Sequence, residues 1–446
     1  MPDPSNRAVL LVNGDQILPS LLADLRAAER SIHVSMFLFF HDPVGDEIAD
    51  VLCEKAKAGV KVRVLLNVEK TGMGDPFSTG EREMMKHDPN VEHNPLDVKP
   101  MCERMRQAGV IVADTNIDYD KVIEHASPRL RSIASQIRAT IAIDDLHIDH
   151  RKIVVVDGNV GYCGGANIGA QYMYHVPFDP LKDAKVEGDE RKAANESEPW
   201  WKWHDSLTRF EGPIVHALER HFHERFVLDG GEPYEVAPFV AREGRVPGAG
   251  LAAAIGSAEV FANEPDDKPN AVRELYVRLI REATKSIFLE NPYLYHPAIV
   301  DALCEAKKAR PELDVTLVVP AGEWNDNEFA FDAQQFHYAR YVELGISVHE
   351  YQRHFNHLKI AVFDERFSIH GSTNCNFRSL ENDKDFELVV LVDDEAMAKD
   401  VLARVRDIDV THAKKITKED VSDGIGGFRI RNRDPRTLLL ISRCEL

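Results

Sequence analysis

The sequence predicts an α/β protein of two pseudo-symmetric lobes, each a mostly parallel mixed β-sheet flanked by helices, with an active site where the lobes meet. Three observations predict it: an internal repeat, an alternation of helical and β-rich runs inside each copy, and one polar motif that closes both copies. With 446 residues, 44% of them hydrophobic, the chain can bury a large core, and general disorder is excluded.

The repeat is clearest where DVLCEKAKAG (50–59) meets DALCEAKKAR (301–310). Upstream, RAAERSIHVSMFLFF (26–40) parallels REATKSIFLENPYLY (281–295); downstream, VKVRVLLN (60–67) parallels LDVTLVVP (313–320). Each copy therefore runs amphipathic helix, β-rich segment, helix, β-rich segment. A further helix and strand follow, CERMRQAGVIV (102–112) and YARYVELGISV (338–348), with Gly109 and Gly345 where each helix should stop. The lobes are expected at 8–230 and 270–410, with a Gly- and Pro-rich boundary near 229–269 and an unassigned tail at 411–446. The stretch between Gly109 and His150 is far longer than that between Gly345 and His357, so the first lobe carries an insertion, 117–145, of helical spacing. Residues 176–199 are polar and charged and read as a mobile surface loop.

Both copies end on H-x-K-x4-D-x6-G-x-x-N: His150, Lys152, Asp157, Gly164 and Asn167 in one, His357, Lys359, Asp364, Gly371 and Asn374 in the other. KIVVVD and KIAVFD are buried-strand sequences, and residues two apart on a strand share a face, so each His is expected to point with its Lys. If the lobes pack symmetrically, two imidazoles, two ammonium groups and two amides converge. That set suits a phosphate ester. Lysines and asparagines hold the non-bridging oxygens, one neutral histidine attacks phosphorus, and the other, protonated, donates to the leaving oxygen. Asp157 and Asp364 complete the candidate catalytic set by motif, but seven residues from each histidine they read as supporting groups.

At these residues the sequence resembles the phospholipase D superfamily, whose signature is this duplicated HKD motif. The nearest likeness is to the bacterial cardiolipin synthase branch, over LLVNGDQILPSLLADLRAAERSI, WHDSLTRFEGPIVHALERHF (203–222) and GSTNCNFRSLENDKDFEL. The resemblance implies a phosphatidyltransferase working through a phosphohistidine, without metal, with His150 as nucleophile and His357 as acid and base. Hydrolysis to phosphatidic acid, or phosphodiester cleavage of nucleic acid, are the alternatives the same site allows. It also implies that Asp205 and Glu387 orient the histidines, and it adds Ser372, from the family's G-S-x-N, to Asn167 and Asn374 as phosphate ligands. The first copy departs from that pattern with G-G-A-N, and Asn376 stands where the family has an aspartate.

The remaining expectations are blander. A charge of −20 disfavours nucleic acid, and the implied partner is a phosphatidylglycerol-like phospholipid met by peripheral membrane contact. No run of apolar residues is long enough to span a bilayer and no secretory signal is evident, so a cytoplasmic place is expected. Six scattered cysteines show no CxxC pairing and fit a reducing compartment, with Cys163 and Cys375 as packing residues. His147 and His150 form an HxxH spacing without a third ligand of sensible spacing, so no metal and no cofactor is expected. Trp200, Trp201 and Trp203 suit either a membrane interface or local packing. MFLFF (36–40) reads as a core strand, and RIRNRDPR (429–436) as a solvated tail or a lipid-phosphate contact.

Overall fold

A computed structural model describes residues 6–66, 97–115, 148–175, 202–236, 254–263, 269–322, 324–325, 328–381 and 385–421. The insertion, the 176–199 loop, His147, Trp200, Trp201 and the 429–436 segment lie outside the described residues.

Among the described residues, fifteen strands form one continuous ladder in the order β15-β11-β10-β9-β12-β13-β14-β8-β1-β7-β6-β5-β2-β3-β4. In the first half these are β1 (Asn6–Val12), β2 (Ser31–Met36), β3 (Lys61–Leu66), β4 (Ile111–Asp114), β5 (Ile153–Val156), β6 (Val160–Gly164) and β7 (Ser206–Glu211). The second half repeats them as β9 (Ser286–Glu290), β10 (Asp314–Pro320), β11 (Ser347–Tyr351), β12 (Ile360–Phe363), β13 (Phe367–Gly371) and β14 (Glu387–Asp393). The strand β8 (Ala254–Asn263) is the counterpart of β1, and the two pair antiparallel, so the duplication reads outward from that seam. Sequence reading left β8 in the boundary region and the tail unplaced. The structure puts β8 against β14 and adds β15 (Ala413–Lys415) to the edge strand β11.

The two-lobed, helix-flanked mixed sheet is as expected, but the parallel share is smaller than the alternation of elements implied. Between the named strands, parallel pairing is confined to β2-β3-β4 and β9-β10-β11, each strand there returning through a helix. The motif strands instead form hairpins, β5-β6 and β12-β13, and a short turn can only join antiparallel neighbours.

Local chemistry sets the helices between strands. In the first half these are α1 (Gly14–Ala27), α2 (Pro43–Lys57), α3 (Lys99–Gln107) and α4 (Ile214–Leu228). Asp42 caps α2, accepting from the Val44 and Gly45 N–H groups at 3.0 and 2.8 Å, with Pro43 opening the helix. Gly345 stops the helix Tyr338–Leu344 at φ 78°, and Gly109 follows α3 at φ 98°, the left-handed stops expected of them. The helices bury their apolar faces on separate cores in the two halves. A third core, holding Leu10, Val155, Phe210, Leu358, Ile360 and Val390, draws on both halves and fixes them together.

Candidate active site

The two motif turns are near copies. Asp157 and Asp364 both sit at φ 54°, a left-handed conformation that aspartate tolerates better than most residues. The Asp157 carboxylate accepts from the Glu29, Arg30 and Ser31 N–H groups at 3.0, 2.6 and 2.9 Å. Asp364 accepts from Thr284, Lys285 and Ser286 at 2.9, 2.7 and 3.1 Å. Both therefore tie a hairpin to the start of the neighbouring strand, β2 or β9. Their carboxylates are thus committed to the backbone N–H groups at those strand starts.

His150 and Lys152 end just before β5, and His357 and Lys359 just before β12, rather than on the strands themselves. Each Lys Nζ donates back to its own histidine carbonyl at 2.6 Å. An ammonium has three protons, and this bond uses one of them. Burial lowers the Lys152 pKa to about 8.

The histidines are held across the junction between halves. The His150 N–H donates to the Phe386 carbonyl at 3.0 Å and the His357 N–H to the His204 carbonyl at 2.8 Å. The side chains repeat the exchange: His150 Nδ1 lies 2.9 Å from Glu387 Oε1, and His357 Nδ1 lies 2.7 Å from Asp205 Oδ2. A carboxyl group thus engages each Nδ1 and leaves each Nε2 for chemistry; at His150 the Glu387 carboxylate accepts, which fixes the proton on Nδ1. Burial and the nearby lysines depress both imidazoles: His150 feels Lys152 and Lys359, and His357, pushed well down, feels Lys359, Lys152 and His150. The two motifs thus share one electrostatic environment.

The carboxylates differ. Glu387 accepts from Ser372 Oγ and from Ser379 Oγ at 2.5 Å as well as from His150. Burial would raise its pKa, but the His150 charge and hydrogen bond, Lys152 and the Ser372 hydroxyl outweigh it, and Glu387 is held below the usual range. Asp205 has the Ser206 N–H at 2.7 Å and no serine hydroxyl in the Ser372 position, where the first copy has Gly165. Burial there wins over Lys359 and Lys152, and Asp205 rises to about 7.

The Ser372 hydroxyl is directed to the Glu387 carboxylate and accepts from the Leu388 N–H at 3.2 Å. Asn167 commits its Oδ1 to the Leu38 N–H at 3.1 Å, so its amide nitrogen is the atom suited to an oxyanion. Asn374 keeps a buried Oδ1 with no hydrogen-bond partner among the described residues. Asn376, the departure from the family pattern, caps a short helix through the Ser379 N–H at 3.0 Å.

Sequence reasoning missed the walls. Trp203, 5% exposed, stands 5.1 Å from the His357 ring and packs edge-on against Tyr172 and Phe355, so it belongs to the site and not to a membrane face. Phe37 meets His150 edge-on at 5.1 Å. MFLFF splits: Met36 ends β2, while Leu38, Phe39 and Phe40 are buried beyond it. Cys163 and Cys375 are buried packing residues, and burial pushes the Cys163 thiol up to about 12.

Residues 21–176 and 276–408 match the family described as "Cardiolipin synthase, PLD-like domain". The chain belongs to this phospholipase D-like family. It is 26% identical over 381 residues to a cardiolipin synthase of Geobacillus kaustophilus, a match covering 84% of this chain and 61% of that protein. With cardiolipin synthase 1 of Bacillus anthracis it shares 24% over 409 residues, covering 91% and 67%. The chain thus spans about three-fifths to two-thirds of the length of these phospholipase D-like relatives. The fold is that of a phosphatidylserine synthase from Haemophilus influenzae Rd KW20, with a TM-score of 0.64, 14% identity, and 98% and 93% of the two chains covered.

Proposed function

We propose that this phospholipase D-like chain is a phosphatidyltransferase of cardiolipin-synthase type, exchanging phosphodiesters on phospholipids through a phosphohistidine. The observation that carries this reading is the exchange of carboxylates between halves, with unequal proton affinity. Glu387 accepts from His150 Nδ1, which leaves His150 Nε2 the lone pair of a nucleophile. The His357–Asp205 pair keeps a proton up to about pH 7 through Asp205, an acid.

In the first step His150 Nε2 attacks phosphorus. The phosphorus–oxygen bond to the departing alcohol breaks, and the His357 Nε2–H proton passes to that oxygen. Lys152, Lys359 and the Asn167 amide take up the growing charge on the non-bridging oxygens. In the second step His357 Nε2 removes the proton of an incoming hydroxyl, whose oxygen displaces His150 and restores both imidazoles. Asp205 and Glu387 hold their rings throughout.

A lipid hydroxyl as acceptor gives a transferase; water gives phosphatidic acid. Among the described residues no helix is long and apolar enough to cross a membrane, so peripheral contact with lipid through those residues is proposed. The charge of −20 weighs against a nuclease, which tracks phosphates along a basic groove. Phosphatidylglycerol vesicles incubated with the purified chain should yield a dimeric phospholipid and free glycerol by mass spectrometry. Phosphatidic acid alone would make it a hydrolase, and no turnover of lipid would remove the lipid reading. The His150→Ala variant should be inactive in either case.

A further inference from the structure

Beside the reacting histidines lies a second cluster that the chemistry above does not use. His204, Glu290 and Asp409 are all buried, and one ligand atom from each lies within 4.8 Å of the others. They come from three separate places: the segment before β7, the end of β9, and the turn of helix Asp407–Asp409. We propose that His204, Glu290 and Asp409 bind a divalent transition-metal cation of the zinc type, which fastens the two halves of the chain beside the His357–Asp205 pair.

Donor orientation supports this. His204 Nδ1 faces Asn13 Oδ1 at 2.6 Å; an amide oxygen only accepts, so the proton sits on Nδ1 and the Nε2 lone pair of the neutral ring points to Asp409 Oδ2, 2.9 Å away. Glu290 Oε1 is held by the Asn356 amide. Metal sites are built this way, with ligands steered by outer hydrogen bonds. The other oxygens, Glu290 Oε2 and Asp409 Oδ1, are buried with no separate donor among the described residues, and the two carboxyl groups lie close enough to interact with each other. A third orphan belongs to the same place. The Tyr351 ring stacks on His204 at 5.3 Å, its hydroxyl is buried and unpartnered among the described residues, and Asp409 and Glu290 are the strongest charges acting on it.

Charge points the same way. Neither carboxylate has an Arg or Lys ion pair among the described residues, and two buried carboxylates are balanced by one divalent cation. An imidazole nitrogen favours zinc-type ions over magnesium or calcium, which prefer oxygen alone. Tetrahedral ligands at zinc bond lengths sit roughly 3.4 Å apart, within reach of the observed spacing after small rotations. His204 and Asn13 belong to the first half, Glu290, Tyr351, Asn356 and Asp409 to the second. The ion would therefore act at a junction where the His204 carbonyl already receives the His357 N–H. It takes no part in phosphoryl transfer. Separations of 86 and 119 residues between the ligands explain why no spacing motif announced them.

The test uses the full chain purified without chelators. Elemental analysis should find about one zinc per chain. After EDTA and dialysis, added Zn2+ should raise the melting temperature, and Co2+ should give the visible bands of a tetrahedral site. His204→Gln and Asp409→Asn should abolish stoichiometric binding, and Asn356→Ala should weaken it about 10- to 100-fold, the range for a lost outer partner. A wild-type chain that retains no metal and whose melting temperature ignores Zn2+ would overturn the proposal, since Glu290 and Asp409 would then be sharing a proton. Stoichiometric zinc undiminished in folded His204→Gln would overturn it too, by placing the ion elsewhere.

Discussion

A methyl group on Gly165 would fall 2.3 Å from Asp205 Oδ1. The equivalent residue of the other half, Ser372, instead donates its hydroxyl to Glu387. The departure G-G-A-N is thus a fitted feature: the shorter aspartate side chain draws its carboxylate into the space a serine would fill. It also deprives Asp205 of the donor that helps keep Glu387 ionised.

Gly165→Ala should therefore displace Asp205 and, with it, His357. A misplacement of about 1 Å at a catalytic group costs on the order of 100-fold in rate. Turnover of lipid by the folded variant, checked by circular dichroism, should fall by about that factor; wild-type rates would refute the packing argument.

The Asp205–His357 pair predicts an alkaline limb. Burial raises the Asp205 pKa to about 7, so the acid proton is lost as pH rises through that value and kcat should decline above it. The stability contribution has the same sign: it is fully present below the usual carboxylate pKa and is lost as pH rises through about 7. In Asp205→Asn the limb near 7 should vanish from a much slower pH–rate profile. An unchanged limb would assign it to another group.

Lys152 predicts a second, separable limb. Its charge, already weakened by burial, is lost as pH rises through about 8, and substrate phosphate should then be held less well. Arg stays charged there, so Lys152→Arg should flatten the profile above 8 even where its geometry lowers the overall rate. A KM that does not change between pH 7 and 9 in wild type would contradict this.

Asp364 predicts a stability effect. Its replacement by Ala removes acceptors from three largely solvent-exposed N–H groups at the start of β9, which water can then take, a loss of about 0.5–1.5 kcal/mol in urea denaturation. Because those N–H groups hold the carboxyl below its usual pKa, stability should also fall as acid protonates it. At a temperature where the variant remains folded, its kcat should stay near wild type; a collapse of kcat with stability intact would return Asp364 to the chemistry.

The repeat, the two-lobed sheet and the paired His and Lys residues were legible because each leaves a local trace: alternation, helix stops, and fixed spacing. Asp205 and Glu387 were legible only through resemblance. That each serves the opposite half was not, since distance along the chain is blind to which face of a junction a strand end reaches. Trp203 and Tyr172 were hidden for a related reason, as aromatic residues carry no spacing rule and declare themselves only when packed on a ring. The Ser372 bond to Glu387 was not legible because a hydroxyl beside a phosphate site and one beside a buried carboxylate look the same in sequence.

The crossed carboxylates also bear on ancestry. One copy alone would carry an imidazole without its acid and an acid without its imidazole. Before the genes fused, such a precursor could work only as two identical chains joined about a two-fold axis, each completing its twin. Fusion released the copies from identity, and Gly165 opposite Ser372 is a trace of that freedom: two descendants of one site, now able to specialise as giver and taker of a proton.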